Sequence, residues 1–387
     1  MIPLSYNFRS ILRRRFSAIA TALGLGLVIF VFAAVLMLAA GVEETLKSTG
    51  SSENAILLRK GSSSELTSFL SRDAAKVFSA DPTVAIEGGK AMASPEIFSI
   101  FQLPRSDGNG TANVAFRGVT SDGFQLVRAK TVRVIDGRLP QPATSEVMIG
   151  RGIRGRYLGS EVGQSISIAR RQWQVVGLFE SGGSGYESEV WADADQIADA
   201  AHRTGYSSLT VHLKSPSELG GLRNTVDADP RFNLVAKRED TYYEEASGLL
   251  AGFIRTLGGV IVFFFTGGAI LGAMITMYAQ VAGRVREIGT LRALGFRQGT
   301  VLGSFLIESL MLSVLGAVAG CVFAAIFSTL SFTTTNFSSF TEVKFRFHFG
   351  PLVAMKAVLF AVAMGLVGGF LPAFRAARLP IAEATKG

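Results

Sequence analysis

The strongest constraint on this chain is a short basic segment between two long apolar runs. Residues 284–297 contain four arginines and one glutamate, and the apolar runs at residues 252–281 and 301–332 flank them. Each run exceeds the roughly 20 helical residues that cross a ~30 Å hydrocarbon core. The basic segment is therefore predicted to be a turn between two membrane spans, because so many charges are unfavourable inside a bilayer.

Two further apolar runs, at residues 18–41 and 351–374, raise the predicted number of spans to four. A cleaved signal peptide is the competing interpretation of the first run. Its length favours a retained anchor, since the apolar region of a signal peptide has only about 7–15 residues. Residues 2–16 are predicted to form an amphipathic helix on the membrane, because their apolar side chains recur at three- and four-residue steps.

The distribution of charge predicts the orientation of these spans. The chain has a net charge of +8, yet residues 42–250 carry 23 Lys and Arg against 26 Asp and Glu. The positive excess therefore lies beside the apolar runs. Because basic residues mark the cytoplasmic side, the N-terminal segment, residues 284–297 and the C-terminal tail are predicted to be cytoplasmic. A nucleic acid is not expected as a partner, since this charge orients spans.

The region between the first two spans is predicted to be a mixed α/β domain in two lobes. Its pattern indicates strands at residues 55–58 and 84–87, a helix near residues 65–78, and a hairpin around Arg170 and Arg171. Helical connectors at residues 41–48 and 241–252 would join it to the membrane. The only cysteine, Cys321, lies in a span, so the domain must be stabilised by its core without an intrachain disulfide.

The predicted fold class is a membrane α-helical protein with four transmembrane helices and a large mixed α/β extracytoplasmic, periplasmic domain. The predicted order is a cytoplasmic amphipathic helix (1–17), span one (18–41), the periplasmic domain (42–250), span two (251–281), a cytoplasmic coupling segment (282–300), span three (301–332), a short periplasmic link (333–350), span four (351–374) and a basic cytoplasmic tail (375–387).

The sequence contains no convincing catalytic or metal site. His202, His212 and His348 are far apart in the sequence and lack metal-ligand spacing, and no GxxxxGK[ST] phosphate loop occurs. The chain is therefore predicted not to be an enzyme and to hold no cofactor or metal of its own. Glu308 is the main ionisable candidate within the spans, about two turns into the third, which argues against a pore through these helices.

Glycines in the predicted spans follow a small-xxx-small pattern. Small residues let helix backbones approach closely in lipid, where packing replaces the hydrophobic effect. Helix–helix contact is therefore predicted, although glycine is common in membrane helices in any case. The residues concerned are Gly268, Gly272, Gly316, Gly320, Gly365 and Gly369.

Nearly the whole chain resembles one known family. Glu287-Ile-Gly-Thr-Leu-Arg-Ala-Leu-Gly295, between the second and third spans, and the ending Pro372-Ala-Phe-Arg-Ala-Ala-Arg-Leu-Pro380 are similar to MacB/FtsX-type permeases of ABC transporters. Phe116-Arg-Gly-Val and Glu146-Val-Met-Ile-Gly resemble motifs of that family's periplasmic core domain. The family comprises mechanotransmission-type (type VII) transporters.

The resemblance implies a permease that passes the motion of ATPase subunits to its periplasmic domain. The implied partners are a dimer of a separate ABC ATPase, which would bind ATP and Mg²⁺, a second permease copy (identical or a paralogue), the membrane and a periplasmic adaptor. A separate ATPase is expected because the chain starts at the amphipathic helix. The residues that match the family's ATPase-coupling segment are Arg284, Arg286, Glu287, Ile288, Gly289, Leu291, Arg292, Leu294 and Gly295.

Three functions remain open from the sequence. The leading one is export or extraction of an amphiphile, lipoprotein, peptide or drug. A second is cargo-free regulation of a periplasmic cell-wall hydrolase, and a third is a membrane sensor without an ATPase. On composition alone the arginines of the coupling segment could also serve only to orient the spans.

Overall fold

The computed structural model describes residues 14–335 and 341–379, which fall into two compact units. Of these described residues, the membrane unit comprises 14–40, 252–330 and 346–379, and the soluble unit comprises 41–251, 331–335 and 341–345. Most of the predicted amphipathic helix (residues 1–13) and the end of the predicted tail (residues 380–387) lie outside the described residues.

The helices, in chain order, are α1 (Arg15–Lys47), α2 (Arg72–Ser79), α3 (Ser121–Leu126), α4 (Ala194–Ala200), α5 (Leu219–Ala228), α6 (Glu239–Ala282), α7 (Val285–Ala293), α8 (Gln298–Phe327) and α9 (Pro351–Ala377). Among the described residues, α1, α6, α8 and α9 are long and apolar enough to cross a membrane. The boundaries between the two units fall inside α1 and α6, so both helices continue into the soluble unit without a break.

The membrane unit packs through small residues and aromatic rings. Ala33 of α1, Ala317 of α8 and Ala361 of α9 belong to one fully buried cluster. Phe32 stacks on Phe360 with 4.3 Å between ring centroids. Because side chains at these contacts are small, the helices can approach closely enough for dispersion contacts to hold them together in lipid.

The strands are β1 (Asn54–Arg59), β2 (Ile86–Glu87), β3 (Lys90–Ala91), β4 (Ala93–Pro104), β5 (Thr111–Val119), β6 (Arg133–Gly137), β7 (Glu146–Gly150), β8 (Ser165–Ile168), β9 (Arg171–Glu180), β10 (Glu189–Asp193), β11 (Ser208–His212), β12 (Leu234–Arg238), β13 (Ser331–Thr335) and β14 (Glu342–Arg346). Ten of them form one mixed sheet in the order β12-β1-β11-β4-β5-β10-β7-β9-β6, with β8 beside β9.

The two expected lobes share this single sheet. One buried cluster joins β1, β11 and β12 to α2 and α5, and another joins the central strands to α4. The opposite face carries a third cluster that includes Trp191 and Met148. Strand β10 pairs in parallel with β5 and antiparallel with β7, so the sheet is mixed at its centre.

Two local predictions differ from the structure in position. The hairpin turn consists of Ala169 and Arg170, both at positive φ (50° and 60°), which matches the twist that a two-residue turn requires. The helix expected from residue 65 begins only at Arg72, because Ser71 is its N-cap and accepts a hydrogen bond from the Ala74 amide. Glu65 instead points into the interior.

The link between the third and fourth spans contributes a carboxylate to the soluble unit. Glu342 of β14 pairs with Arg105 and, at 2.6 Å, with Arg156, and it accepts a hydrogen bond of 3.0 Å from the Tyr157 hydroxyl. Burial, together with the nearby Glu342, raises the pKa of Tyr157 to about 12 although the two arginines oppose the rise. Part of the link is thus built into the soluble unit.

Candidate functional site

The coupling segment forms a short helix, α7, between two turns. It begins after Arg284 and ends in a glycine turn, in which the amides of Gly295 and Phe296 donate to the carbonyls of Arg292 and Leu291 at 3.1 Å. Gly295 has φ +91°, a left-handed conformation that favours glycine and closes the last turn of a helix. The backbone conformation at the end of α7 therefore explains why residue 295 is a glycine.

One side of α7 is buried against the membrane unit. Ile288 is 2% exposed and belongs to a cluster with Val301 and Phe305 of α8. Gly289 is also buried, and Leu291 and Arg292 are half-buried. Arg284, at the start of the segment, is 7% exposed and pairs with Glu308 of α8. These residues of the predicted site are buried or half-buried, and Ile288 and Arg284 hold α7 against α8.

The other side of α7 is not covered by any of the residues that the structure describes. We call it the exposed face; its residues are Arg286, Glu287, Thr290, Ala293, Leu294, Gly295 and Arg297. Leu294 is 73% exposed. A large apolar side chain surrounded by arginines fits a partner that combines an apolar pocket with acidic groups, since the apolar contact supplies affinity and the charges supply direction.

Four of the six predicted packing glycines lie in close helix contacts. A Cβ at Gly316 would lie 2.9 Å from the Ala22 carbonyl oxygen, and one at Gly320 would lie 2.7 Å from that of Gly26. A Cβ at Gly365 of α9 would lie 2.3 Å from the Ser313 side chain of α8, and one at Gly369 would lie 2.5 Å from that of Ser309. These glycines allow α1–α8 and α8–α9 contacts that a side chain would prevent.

A Cβ added at either of the remaining two glycines, Gly268 and Gly272, would have no described atom outside its own helix within 4 Å. Both line a groove of about 450 Å³ whose other wall belongs to α1 and includes Thr21 and Gly24. Within the described membrane unit these two glycines therefore make no close helix contact.

Sequence reasoning missed a second constellation, a set of fully enclosed charges in the soluble unit. We call it the buried charge cluster; it consists of Glu65, Glu96, Arg117, Arg128, Glu189 and Glu239. Each of its six members is at most 7% exposed. Long charged side chains are almost never fully buried unless they are paired, so such a group indicates a specific arrangement.

Arg117 of β5 is the centre of the cluster. Its guanidinium donates to Glu189 at 2.8 and 2.9 Å, to Glu65 at 2.8 and 3.1 Å and to Glu96 at 2.7 Å. Burial acts to lower the pKa of Arg117, but Glu189 and Glu65 outweigh it and raise that pKa well above its usual value. Each of the three guanidinium nitrogens thus donates to at least one carboxylate, as a buried cation requires.

Arg128 extends the cluster to the first residue of α6. It donates to Glu96 at 2.6 Å, to Glu239 and, at 2.9 Å, to Thr210. Burial acts to raise the pKa of Glu96, but Arg128 and Arg117 outweigh it and hold that pKa below its usual value. The other oxygen of Glu239 accepts from Asn54 at 2.8 Å. The cluster therefore fastens the start of the helix that becomes the second span.

No signal in the sequence pointed to this cluster. Members in contact are separated by 21 to 111 residues along the chain, and none belongs to a sequence motif that predicts the cluster. Phe116-Arg-Gly-Val was noted as a motif, yet the burial of its arginine follows only from the pairing of β5 with β4 and β10. The described residues hold no group of His, Cys, Asp and Glu suited to a metal ion.

Comparisons with known proteins agree with both units. A sequence model described as MacB-like periplasmic core domain matches residues 18–228, and one described as FtsX-like permease C-terminal matches residues 259–381. The macrolide export ATP-binding/permease protein MacB of Hahella chejuensis is 27% identical over 79% of this chain and 48% of its own length. The pyoverdine export ATP-binding/permease protein PvdT of Pseudomonas syringae pv. syringae is 30% identical over 63% of this chain and 38% of its own.

Among solved structures, the periplasmic region of MacB from Actinobacillus actinomycetemcomitans aligns with 52% of this chain and 94% of its own, at 13% identity and a TM-score of 0.38. The chain spans less than half the length of these curated relatives. The periplasmic-core match alone covers more than half of the 387 residues. The chain therefore belongs to the MacB/FtsX-type permeases of ABC transporters, multi-pass proteins of the bacterial inner membrane with a large periplasmic domain.

Proposed function

We propose that this permease couples ATP hydrolysis in a separate ATPase subunit to a conformational change of its periplasmic domain, and thereby drives export of an amphiphile, a peptide or a drug. The relatives are named for export of macrolides and of pyoverdine, which favours export as the output here. ATP and Mg²⁺ would be bound by the ATPase. A pair of permease chains would work with a pair of ATPase subunits.

The observation that carries the proposal is the exposed face of α7. Leu294 stands out at the end of the helix with arginines 286 and 297 on the same open side. Leu294, which is 73% exposed, and these two arginines together can offer a partner both an apolar and a charged contact. The buried half of α7 gives the partner a supported surface to act on, because Ile288 and Gly289 pack into the membrane unit.

The continuity of α6 supports the second half of the proposal. This helix starts at Glu239, which the buried charge cluster holds, and it ends at Ala282, two residues before Arg284. A displacement of the exposed face would thus act on the C-terminal end of a helix whose first residue is held by the buried charge cluster. Such a helix is suited to transmit motion, and no catalytic group is needed on this chain.

The test is capture of an ATPase by the full chain purified in mild detergent. We expect an ABC ATPase to co-purify with the wild type in a fixed ratio and to be lost from Leu294→Asp, which places a charge where the partner needs an apolar contact. Leu158→Asp is the matched control, since Leu158 is 56% exposed in the soluble unit and outside the exposed face. Capture by neither wild type nor control would contradict the coupling role.

A second measurement addresses the output. The purified complex is reconstituted in lipid vesicles, and its ATP hydrolysis is measured with and without a macrolide as the probe. Stimulation by the probe supports export of an amphiphile. Hydrolysis that responds only to a co-purifying cell-wall hydrolase would contradict export as the output and favour a regulatory role.

A further inference from the structure

Two enclosed charges of the membrane unit meet where the coupling segment begins. The Nη1 of Arg284 lies 2.9 Å from Oε2 of Glu308, which is 3% exposed and lies ten residues into α8. The Nε of Arg284 lies 3.1 Å from Oε2 of Glu287, and its guanidinium lies 5.5 Å from the centre of the Phe305 ring. Arg284 thus contacts both α7 and α8.

The sequence alone suggests other roles for these residues. Arg284 falls in the basic segment that orients the spans, and Glu308 is the ionisable residue that an ion-coupled carrier would need. The structure joins them in a hydrogen-bonded pair, in which each charge faces an opposite one. A carboxylate held in this way is a poor relay for a moving ion, because its charge already faces a cation at hydrogen-bond distance.

The pair also differs in kind from the apolar contacts that surround it. Ile288, Val301 and Phe305 pack without a strong preference for direction, so they tolerate small rotations of α7. A short charged hydrogen bond depends on distance and angle and permits far less rotation. It joins the residue that caps the start of α7 to a residue ten positions into α8.

We propose that Arg284 and Glu308 are a positioning pair, which sets the direction of α7 and so presents the exposed face to the ATPase. The proposal rests on the proposed function for its partner, but the orientation of α7 is a property of this chain and can be measured without one. The pair contacts no ATPase itself. It determines the direction in which the residues of the exposed face point.

The first experiment measures the mobility of α7 by limited trypsin digestion of the full-length protein in detergent. Trypsin cleaves after arginine, and Arg286 and Arg292 lie within α7, where a well-held helix resists cleavage. In Glu308→Gln we expect cleavage at these sites to be about tenfold faster than in the wild type. Lys356→Gln, which removes an exposed charge from α9, should leave the rate unchanged.

A second variant separates positioning from stability. Replacing both members, as Arg284→Met with Glu308→Met, removes the buried charges together, and such replacements often restore stability. We expect the unfolding midpoint to return to the wild-type value while cleavage within α7 stays fast and ATPase capture stays low. If cleavage and capture return together with stability, the pair only stabilises the bundle and the proposal is wrong. An unchanged cleavage rate in Glu308→Gln would also overturn it.

The two proposals fail in different ways. If the wild-type chain captures no ATPase while Glu308→Gln accelerates trypsin cleavage, the proposed coupling function is wrong and the positioning role stands. If the wild type captures the ATPase and every variant cleaves and captures like the wild type, the coupling function stands and the positioning role is wrong.

Discussion

Removal of the arginine at the centre of the buried charge cluster should destabilise the soluble unit strongly. Arg117→Ala leaves Glu65 and Glu189 without the guanidinium that each contacts through two hydrogen bonds, while Glu96 keeps Arg128. Loss of one partner from a buried ion pair costs about 3–5 kcal/mol, because the remaining charge is enclosed and unpaired. For a unit of this size each kcal/mol lowers the unfolding midpoint by about 2–4 °C.

The expected loss is therefore on the order of 6–20 °C in the thermal midpoint. The chain offers its own probe, since Trp173 and Trp191 are its only two tryptophans and both are fully buried in the soluble unit. Their fluorescence in the full-length protein in detergent reports unfolding of that unit. Trp191 also donates a 2.7 Å hydrogen bond to Glu189, so its emission is sensitive to the cluster itself.

Arg154→Ala is the matched control for this prediction. Arg154 pairs with Glu161 at 2.9 Å, but both side chains are largely in solvent, where water screens the attraction. We expect its midpoint to equal that of the wild type. If Arg117→Ala unfolds within about 1 kcal/mol of the wild type, the reasoning from burial is refuted, since enclosed carboxylates would then tolerate the loss of their cation.

Three other predictions follow from single contacts. The pKa of Glu96 is lowered in the folded protein, so its stabilising contribution is present above pH 4.5 and is lost as the pH falls through the folded pKa. Glu96→Gln should therefore be less stable than the wild type at neutral pH. Its stability should also fall less steeply with acid, as measured by fluorescence-monitored unfolding at a series of pH values. Gly320→Leu should lower the stability of the membrane unit by about 1–3 kcal/mol, measured with a dye that labels the single cysteine on unfolding. Gly259→Leu is the control, since the space around Gly259 is open, and it should leave the stability unchanged. Equal unfolding midpoints of the two variants would count against close helix contact. A cysteine at Ser165 should react with an impermeant thiol reagent applied outside the inner membrane, and one at Gln298 should not; the reverse pattern would contradict the predicted orientation.

Much of the architecture could be predicted from the sequence because its signals are local. Spans follow from the length of apolar runs, and orientation follows from arginines within a few residues of their ends. The position of the short helix α7 between the second and third spans could be predicted in the same way. Which of its residues are buried and which are exposed could not be predicted, because Arg284 and Arg286 are equally basic in sequence, and only Arg284 pairs with a carboxylate of α8.

The buried charges show where local reasoning ends. Glu65 sits in a stretch that reads as the start of a helix, yet its carboxylate pairs with Arg117, 52 residues away. A helix that began at residue 65 would compete with that pairing, and Ser71 provides a better N-cap. Long-range contacts therefore decide both the residue at which α2 begins and the burial of Glu65, which the sequence alone would place on the surface.

Glu342 has a consequence for anyone who wishes to study the periplasmic domain in isolation. The soluble unit is not one continuous stretch of the chain, because its described residues include part of the link before the fourth span. A protein cut to residues 42–250 would lose the carboxylate that pairs with Arg105 and Arg156 and contacts Tyr157. Such a fragment would expose two adjacent cations. A fragment that keeps residues 331–345 through a short Gly/Ser bridge would preserve the native surface and should resist proteolysis better at the Arg105 turn.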